Sequence, residues 1–317
     1  MACPTEILAA DSAGCKRASD ILSAGGLVAF PTETVYGLGG DARNTAAVAR
    51  IFEAKNRPSF NPLIVHVSDI GAAADLVEWT PLADTLARAF WPGPLTLVMP
   101  QIKGGGLSPL ATSELSTLAI RIPAHKAARE LLKAFSGPIS APSANPSGCI
   151  SPTRASHVTK GLSGKIEAVI DGGPCRVGLE STIVSLVDQP VLLRPGGLMT
   201  ESIEEVLGFA LEKKTTGGRI TSPGQLASHY APDSPVRLNA AEKRPGEVLL
   251  GFGDVACDLN LSPSGDLAEA ASNLFCHLHE LDAGNPKTIA ISPIPDLGIG
   301  RPINDRLRRA ARSRNHE

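Results

Sequence analysis

The stretch Gly25–Ser68, GGLVAFPTETVYGLGGDARNTAAVARIFEAKNRPSFNPLIVHVS, decides how the chain is read. Its apolar run Leu27-Val28-Ala29-Phe30 predicts a buried strand, broken at Pro31 by hydroxyl-rich and then glycine-rich residues that read as a turn. Ala47, Val48, Ile51 and Phe52 recur at helical spacing behind Asn44 or Thr45 as a cap, so Lys55 and Arg57 fall at or just past the helix end. Leu63-Ile64-Val65 begins a second strand, with His66 near its far end. Two strand ends, a glycine turn and two cations then share one neighbourhood, where open α/β sheets hold ligands. Cations at a helix C-terminus can also simply complement the macrodipole. Pro58 and Asn61-Pro62 make a rigid polar loop of the segment, which favours a binding role.

Upstream, Ala18, Ile21 and Leu22 mark one face of a helix stopped at Gly25-Gly26. Downstream, helices are expected over 70–76 and 82–91, and a strand over 95–98 after the hard turn Trp91-Pro92-Gly93-Pro94. Residues 101–114 read as a mobile loop. A strand at 117–123 carries Arg121 to its exit, and a buried arginine needs an anion or a carboxylate, commonly a salt bridge within the protein.

A helix over 126–135 leads to SAPSANPSG (140–148), where three prolines hold Ser143 and Asn145 at small entropic cost. Ser151-Pro152-Thr153 reads as a helix start whose free amides suit an anion or merely begin a helix. Strands at 168–170, 183–187 and 191–194 follow, the last two as a hairpin with Arg194 at its exit, and 202–207 is a short helix. Residues 209–235 read as an interdomain linker of unusual length that holds His229 and Tyr230. Strand 248–252, helix 266–281 and strand 288–292 form a small βαβ unit, ahead of a basic terminal helix with Arg301, Arg306, Arg308, Arg309, Arg312 and Arg314. That arginine-rich end reads as a solvated face, with a weak RNA contact as the alternative. Cys276-His277-x-His279 has metal-ligand residue types, but 277 and 279 point apart on a helix, and no metal site is assigned.

The composition allows two domains: 317 residues, 43% hydrophobic and 20% charged. A net charge of −2 removes any global electrostatic argument for nucleic-acid binding. Six scattered cysteines without a C-x-x-C pair, and no secretory leader, predict a reduced cytoplasmic setting. No apolar run approaches the ~20 residues that span a bilayer.

The blocks PTETVYGLG, AKNRP-x-x-NPLIVH, LAIRIP, SAPSANPSG-x-x-SPT, DGG-x-x-x-x-GLESTIV, LLRPGG and SPG-x-x-x-SHYAP, in this order, resemble the threonylcarbamoyl-adenylate synthase family in its long form. GIGRPINDRLRRAA resembles that family's ending, with proline where alanine is commoner and a shorter C-terminal domain. The resemblance implies an α/β fold: a YrdC-like twisted mixed sheet flanked by helices (1–208), a linker or lid (209–235), and a smaller Rossmann-like α/β accessory domain (236–317). It implies condensation of L-threonine, bicarbonate and ATP to threonylcarbamoyl-adenylate and pyrophosphate, ahead of a tRNA threonylcarbamoyl transferase, with Mg2+ accompanying the nucleotide.

By motif match, Thr34, His66, Arg121, Ala141 through its backbone and Ser181 take threonine. Arg57, Asn61, Thr117, Ser143, Asn145, Ser151, Arg194 and Tyr230 take ATP, and Lys55 and Arg57 carry the catalytic charge. Tyr230 suggests that 222–232 folds over the nucleotide as a lid. Two rival readings are a double-stranded-RNA-binding module and a carbamoyl transferase of hydrogenase maturation; the latter carries zinc-finger-type cysteine pairs that this sequence lacks.

Overall fold

The structure, a computed structural model, describes residues 4–213 and 229–312. Eleven strands form one mixed sheet in the order Glu6–Ala9, Ala168–Asp171, Val28–Phe30, Gly37–Asp41, Ile139–Ser140, Ile64–His66, Thr117–Arg121, Leu95–Pro100, Thr182–Ser185, Val191–Arg194 and Glu212–Lys213. Helices cover it, among them Ser12–Ser23 and Lys126–Phe135, whose apolar faces share a core with Val28, Phe30 and Ile139. The expected twisted mixed α/β sheet is observed.

The glycine-rich residues after Pro31 are not a turn. Gly37–Asp41 is a strand antiparallel to Val28–Phe30, with Phe30 opposite Gly37. Glycine is required there by space: a Cβ on Gly39 would lie 2.8 Å from Phe30 Cε1 and 2.9 Å from Ile139 Cγ2. The helix Thr45–Lys55 is capped by Asn44, whose Oδ1 accepts from the amides of Ala46 and Ala47, and it ends at Asn56 in the left-handed region at φ 50°. Strand Ile64–His66 runs parallel to Thr117–Arg121 with His66 opposite Arg121, so register alone brings these two side chains to one sheet end.

Two further expectations are corrected. The helix after Ser151 is Ala155–Leu162, with Arg154 at the cap position, so Ser151-Pro152-Thr153 is not its start. Residues 101–114 are tied down rather than free-standing: Ser108 N donates to Ala42 O, Leu63 N to Ala111 O and Ser113 Oγ to Ser59 O.

The C-terminal sheet is parallel, in the order Val236–Arg237, Thr288–Ile291, Glu247–Gly251 and Leu259–Asn260, with helices Leu267–Ala283 and Gly300–Ala310. Its core, including Leu274, Phe275, Ile289 and Ile303, is continuous with Val35, Ile150, Leu179 and Tyr230. The basic terminal helix is not wholly a solvated face: Arg306 is 1% exposed and ion-paired to Glu180. Arg314 and residues 222–228 of the expected lid lie outside the described residues. Among the described residues no helix is long and apolar enough to cross a membrane.

Gly39→Val is expected to destabilise the protein by about 1–3 kcal/mol, because Phe30 and Ile139 must move aside. A urea-unfolding midpoint measured against wild type checks this, and an unchanged midpoint would contradict the packing described.

Candidate active site

A cavity opens where these strand ends converge, lined by Thr32, Thr34, Val35, Gly37, Arg57, Ile64, His66, Arg121, Ala141, Pro142, Ser143, Glu180, Ser181, Arg194, His229 and Tyr230. Nine residues expected from the sequence are in that lining: Thr34, Arg57, His66, Arg121, Ala141, Ser143, Ser181, Arg194 and Tyr230. They come from eight separate places in the chain, spread from Thr34 to Tyr230.

Three guanidinium groups set the electrostatics, each anchored by hydrogen bonds that also fix its plane. Arg121 donates through Nε to Gly93 O at 3.0 Å, through Nη1 to Thr34 Oγ1 at 3.0 Å and through Nη2 to Glu33 Oε1 at 2.5 Å. The salt bridge expected for this arginine is therefore Glu33, in the same PTET segment as Thr34. Glu33 also accepts from the amide of Ala124 at 2.8 Å. Burial works against its charge, but Arg121 prevails and holds the carboxyl below its usual range.

Arg57 donates through Nε to Asn61 O at 3.2 Å and through Nη2 to Pro62 O at 3.0 Å. Arg194 grips Ser181 O with both Nε (3.1 Å) and Nη2 (2.9 Å), and Nη2 also meets Ser181 Oγ at 3.2 Å. Ser181 Oγ in turn lies 2.7 Å from Thr96 Oγ1. Among the described residues neither Arg57 nor Arg194 has a salt-bridge partner. Burial, despite Tyr230 and with help from Arg194, pulls Arg57 down to about 10, still charged at neutral pH. Carbonyl anchors orient the groups without neutralising them, so the cavity keeps positive charge for an anion.

Two imidazoles in the wall are neutral. Burial, then Arg121, pushes His66 down to about 3, and burial pushes His229 to about 3. The Tyr230 ring packs on Phe275 at 5.6 Å and on His229 at 4.1 Å.

Five expected site residues stand outside the lining. Lys55 is buried behind it, its Nζ donating to Ser143 O at 2.6 Å and Asn145 O at 2.5 Å, and burial and Arg57 hold its pKa well below the ordinary value. Its amino group therefore ties down the loop that carries Ser143, and Lys55 is not among the lining residues. Asn145 turns its amide to Pro146 O and Cys149 O. Ser151 donates to Glu180 Oε1 at 2.5 Å. Thr117 opens the strand that ends in Arg121, roughly 13 Å along it. Asn61 is fully buried with neither amide atom partnered among the described residues, which is costly unless a ligand completes it.

Sequence reading missed Glu33, Glu180, His229 and Thr32 as parts of the site. Glu33 lay inside the quoted PTET block, and the demand of buried Arg121 for a carboxylate was the signal that could have found it.

No described group of His, Cys, Asp and Glu residues is arranged to hold a metal. His279 instead stacks on His157 at 4.0 Å and faces Ser151 O at 3.2 Å.

Comparison with known proteins places the chain in a family. Residues 20–196 match the model of the Sua5, YciO and YrdC group described as "Telomere recombination", and residues 198–312 match "Threonylcarbamoyl-AMP synthase, C-terminal domain". The chain belongs to the threonylcarbamoyl-AMP synthase family. It matches both parts of the long form. It is 40% identical to the threonylcarbamoyl-AMP synthase of Bacillus subtilis, with 98% of this chain and 96% of the relative covered. It is 41% identical to that of Pyrococcus abyssi, with 93% of each covered. The crystal structure of P. abyssi Sua5 complexed with L-threonine superimposes with a TM-score of 0.89 at 37% identity, covering 98% of both chains.

The neutral histidines make stability pH-dependent. An unfolded histidine takes up a proton near pH 6.5, whereas buried His66 resists until about 3, so the unfolded state binds more protons in between and stability falls as pH falls through that window. His66→Gln is expected to flatten the urea-midpoint profile between pH 6.5 and 5 by on the order of 2 kcal/mol. An identical slope in variant and wild type would contradict a buried neutral imidazole.

Proposed function

We propose that this protein is an L-threonylcarbamoyladenylate synthase, a nucleotidyltransferase that condenses L-threonine, bicarbonate and ATP into threonylcarbamoyl-AMP and pyrophosphate. The product then serves threonylcarbamoyladenosine formation at position 37 of tRNA, in the cytoplasm. The observation that carries this reading is the set of three buried guanidiniums around one cavity in a member of this family.

In this reading the threonine carboxylate meets the N–H groups left on Arg121, whose plane is already fixed by Gly93, Thr34 and Glu33. Thr34, Ser181 and the Ala141 backbone serve the amino acid's polar groups. Neutral His66 lies beside the amine without repelling it, as an imidazolium would. The triphosphate lies against Arg57, Arg194 and Ser143, and Tyr230 and the unfilled amide of Asn61 face the nucleoside. Asn145, Ser151 and Thr117 belong to the ATP side through the loops and strand they hold.

Threonine's amine and bicarbonate form a carbamate with loss of water. A carbamate oxygen then attacks the α-phosphorus, forming the P–O bond as the bond to the departing pyrophosphate breaks. The side chains offer charge and placement rather than a nucleophile, and bringing three reactants together supplies about 7–11 kcal/mol of the barrier. The carboxylates in and behind the lining do not make a magnesium site: Glu33 is committed to Arg121 and Glu180 to Arg306. Magnesium would arrive with the nucleotide, as a counter-ion to the phosphates of ATP. The labile adenylate requires a tRNA threonylcarbamoyl transferase to consume it. For the RNA-binding rival, the burial of Arg306 removes a central cation from the basic helix.

Pyrophosphate release should require threonine, bicarbonate and ATP together, and serine in place of threonine should cost about 10- to 200-fold in kcat/KM. Arg57→Ala should lower kcat/KM by about 10²–10³-fold while circular dichroism and elution volume stay those of wild type. Release without threonine or without bicarbonate would overturn the reading.

A further inference from the structure

The geometry points to Arg306, on the last helix of the C-terminal domain, as a positioning residue that leaves Arg194 free for the anionic ligand. This inference rests on the functional reading above for the nature of that ligand. Arg306 is among the largest fully buried side chains of the described residues, yet it is a cation, and Glu180 and Tyr230, two of the groups it meets, line the cavity. Its Nε donates to Glu180 Oε2 at 2.9 Å, and its Nη1 donates to Pro195 O at 2.9 Å and Asp305 Oδ2 at 2.8 Å. Its guanidinium carbon lies 5.2 Å from the centroid of the Tyr230 ring.

Two of these partners adjoin the pair that anchors a cavity guanidinium. Glu180 precedes Ser181, and Pro195 follows Arg194, and Arg194 grips the Ser181 carbonyl. The two segments touch backbone to backbone: a Cβ on Gly196 would lie 2.4 Å from Glu180 O. One side chain from the C-terminal helix thus clamps both segments from behind.

The clamp also has an electrostatic consequence. Glu180 is a buried carboxylate in the wall shared with Arg194, and a buried carboxylate draws in whatever cation it can reach. Arg306 and Ser151 occupy its two oxygens. Without Arg306, Glu180 turns to Arg194, pulls it off the Ser181 carbonyl and cancels its charge. The accessory domain therefore acts on the site as a counter-ion to Glu180 and a support for Tyr230, beyond holding the fold together. Lysine cannot replace it, because one ammonium lacks the fork that spans Glu180, Pro195 and the Tyr230 face.

The test uses the full chain, with ATP and threonine affinities measured by calorimetry beside pyrophosphate release. Arg306→Met is expected to weaken ATP binding about 10- to 100-fold while threonine affinity stays near wild type. Glu180→Gln in the same chain is expected to restore most of that loss, since no carboxylate then competes for Arg194. Arg301→Ala, which removes a peripheral interdomain pair with Glu201, is expected to leave both affinities and turnover unchanged. If Arg306→Met does not fold, Arg306→Gln, which also removes the charge, carries the same comparison.

Equal loss of ATP and threonine affinity, or no recovery on adding Glu180→Gln, would overturn the inference. Wild-type protein that releases no pyrophosphate would overturn the functional reading alone, because selective weakening of ATP binding is read without turnover.

Discussion

A buried cation must be held without being cancelled, and the cavity is arranged around that requirement. Arg57 and Arg194 are anchored by backbone carbonyl oxygens, which supply hydrogen-bond acceptors and partial charge but no full counter-ion. Arg121 has a carboxylate, Glu33, on one Nη, with Thr34 on the other and Gly93 O on Nε. Burial removes water from all three, so an anion entering the cavity gains strong interactions and meets donors already oriented. Lys55 follows the same pattern one layer behind, tying down the carbonyls of Ser143 and Asn145.

The second domain takes part in this arrangement. Val35, Ile150, Leu179 and Tyr230 pack into the same hydrophobic cluster as Phe275 and Ile303, so the wall of the cavity and the core of the C-terminal domain are one body of side chains. Tyr230 has φ 65°, a left-handed backbone that a bulky residue holds only when its surroundings impose it. Its ring lies among Phe275, His229 and Arg306. The 229–231 segment is thus moulded by contacts from both halves, with Ala231 N donating to Gly148 O.

Much of this was legible in the sequence. Apolar runs located the strands at Val28 and Ile64, alternation the one at Thr117 and 3.6-residue spacing the helix at Thr45, with His66 and Arg121 each marked near a strand exit; that the two stand opposite each other follows from the sheet register. The Gly37–Asp41 strand was illegible, because its glycines answer to Phe30 and Ile139 overhead rather than to local turn chemistry. Ser151 looked like a helix start because Ser-Pro-Thr is good capping chemistry, but its hydroxyl is claimed by Glu180, 29 residues on. Arg306 looked solvated among five other arginines, and only the docking of its helix against residues 180 and 195 shows otherwise. Local pattern reports which face of an element is apolar. It does not report which polar residue a distant element will bury.

The central claim is that the three guanidiniums serve one cavity that holds an amino acid beside a nucleotide. A crystal structure of the protein with L-threonine and a non-hydrolysable ATP analogue tests it most directly. The expected result has the threonine carboxylate within hydrogen-bond distance of Arg121 and the analogue's phosphates on Arg57 and Arg194, with Glu180 still on Arg306. Either ligand bound elsewhere, or phosphates that touch none of these arginines, would contradict it.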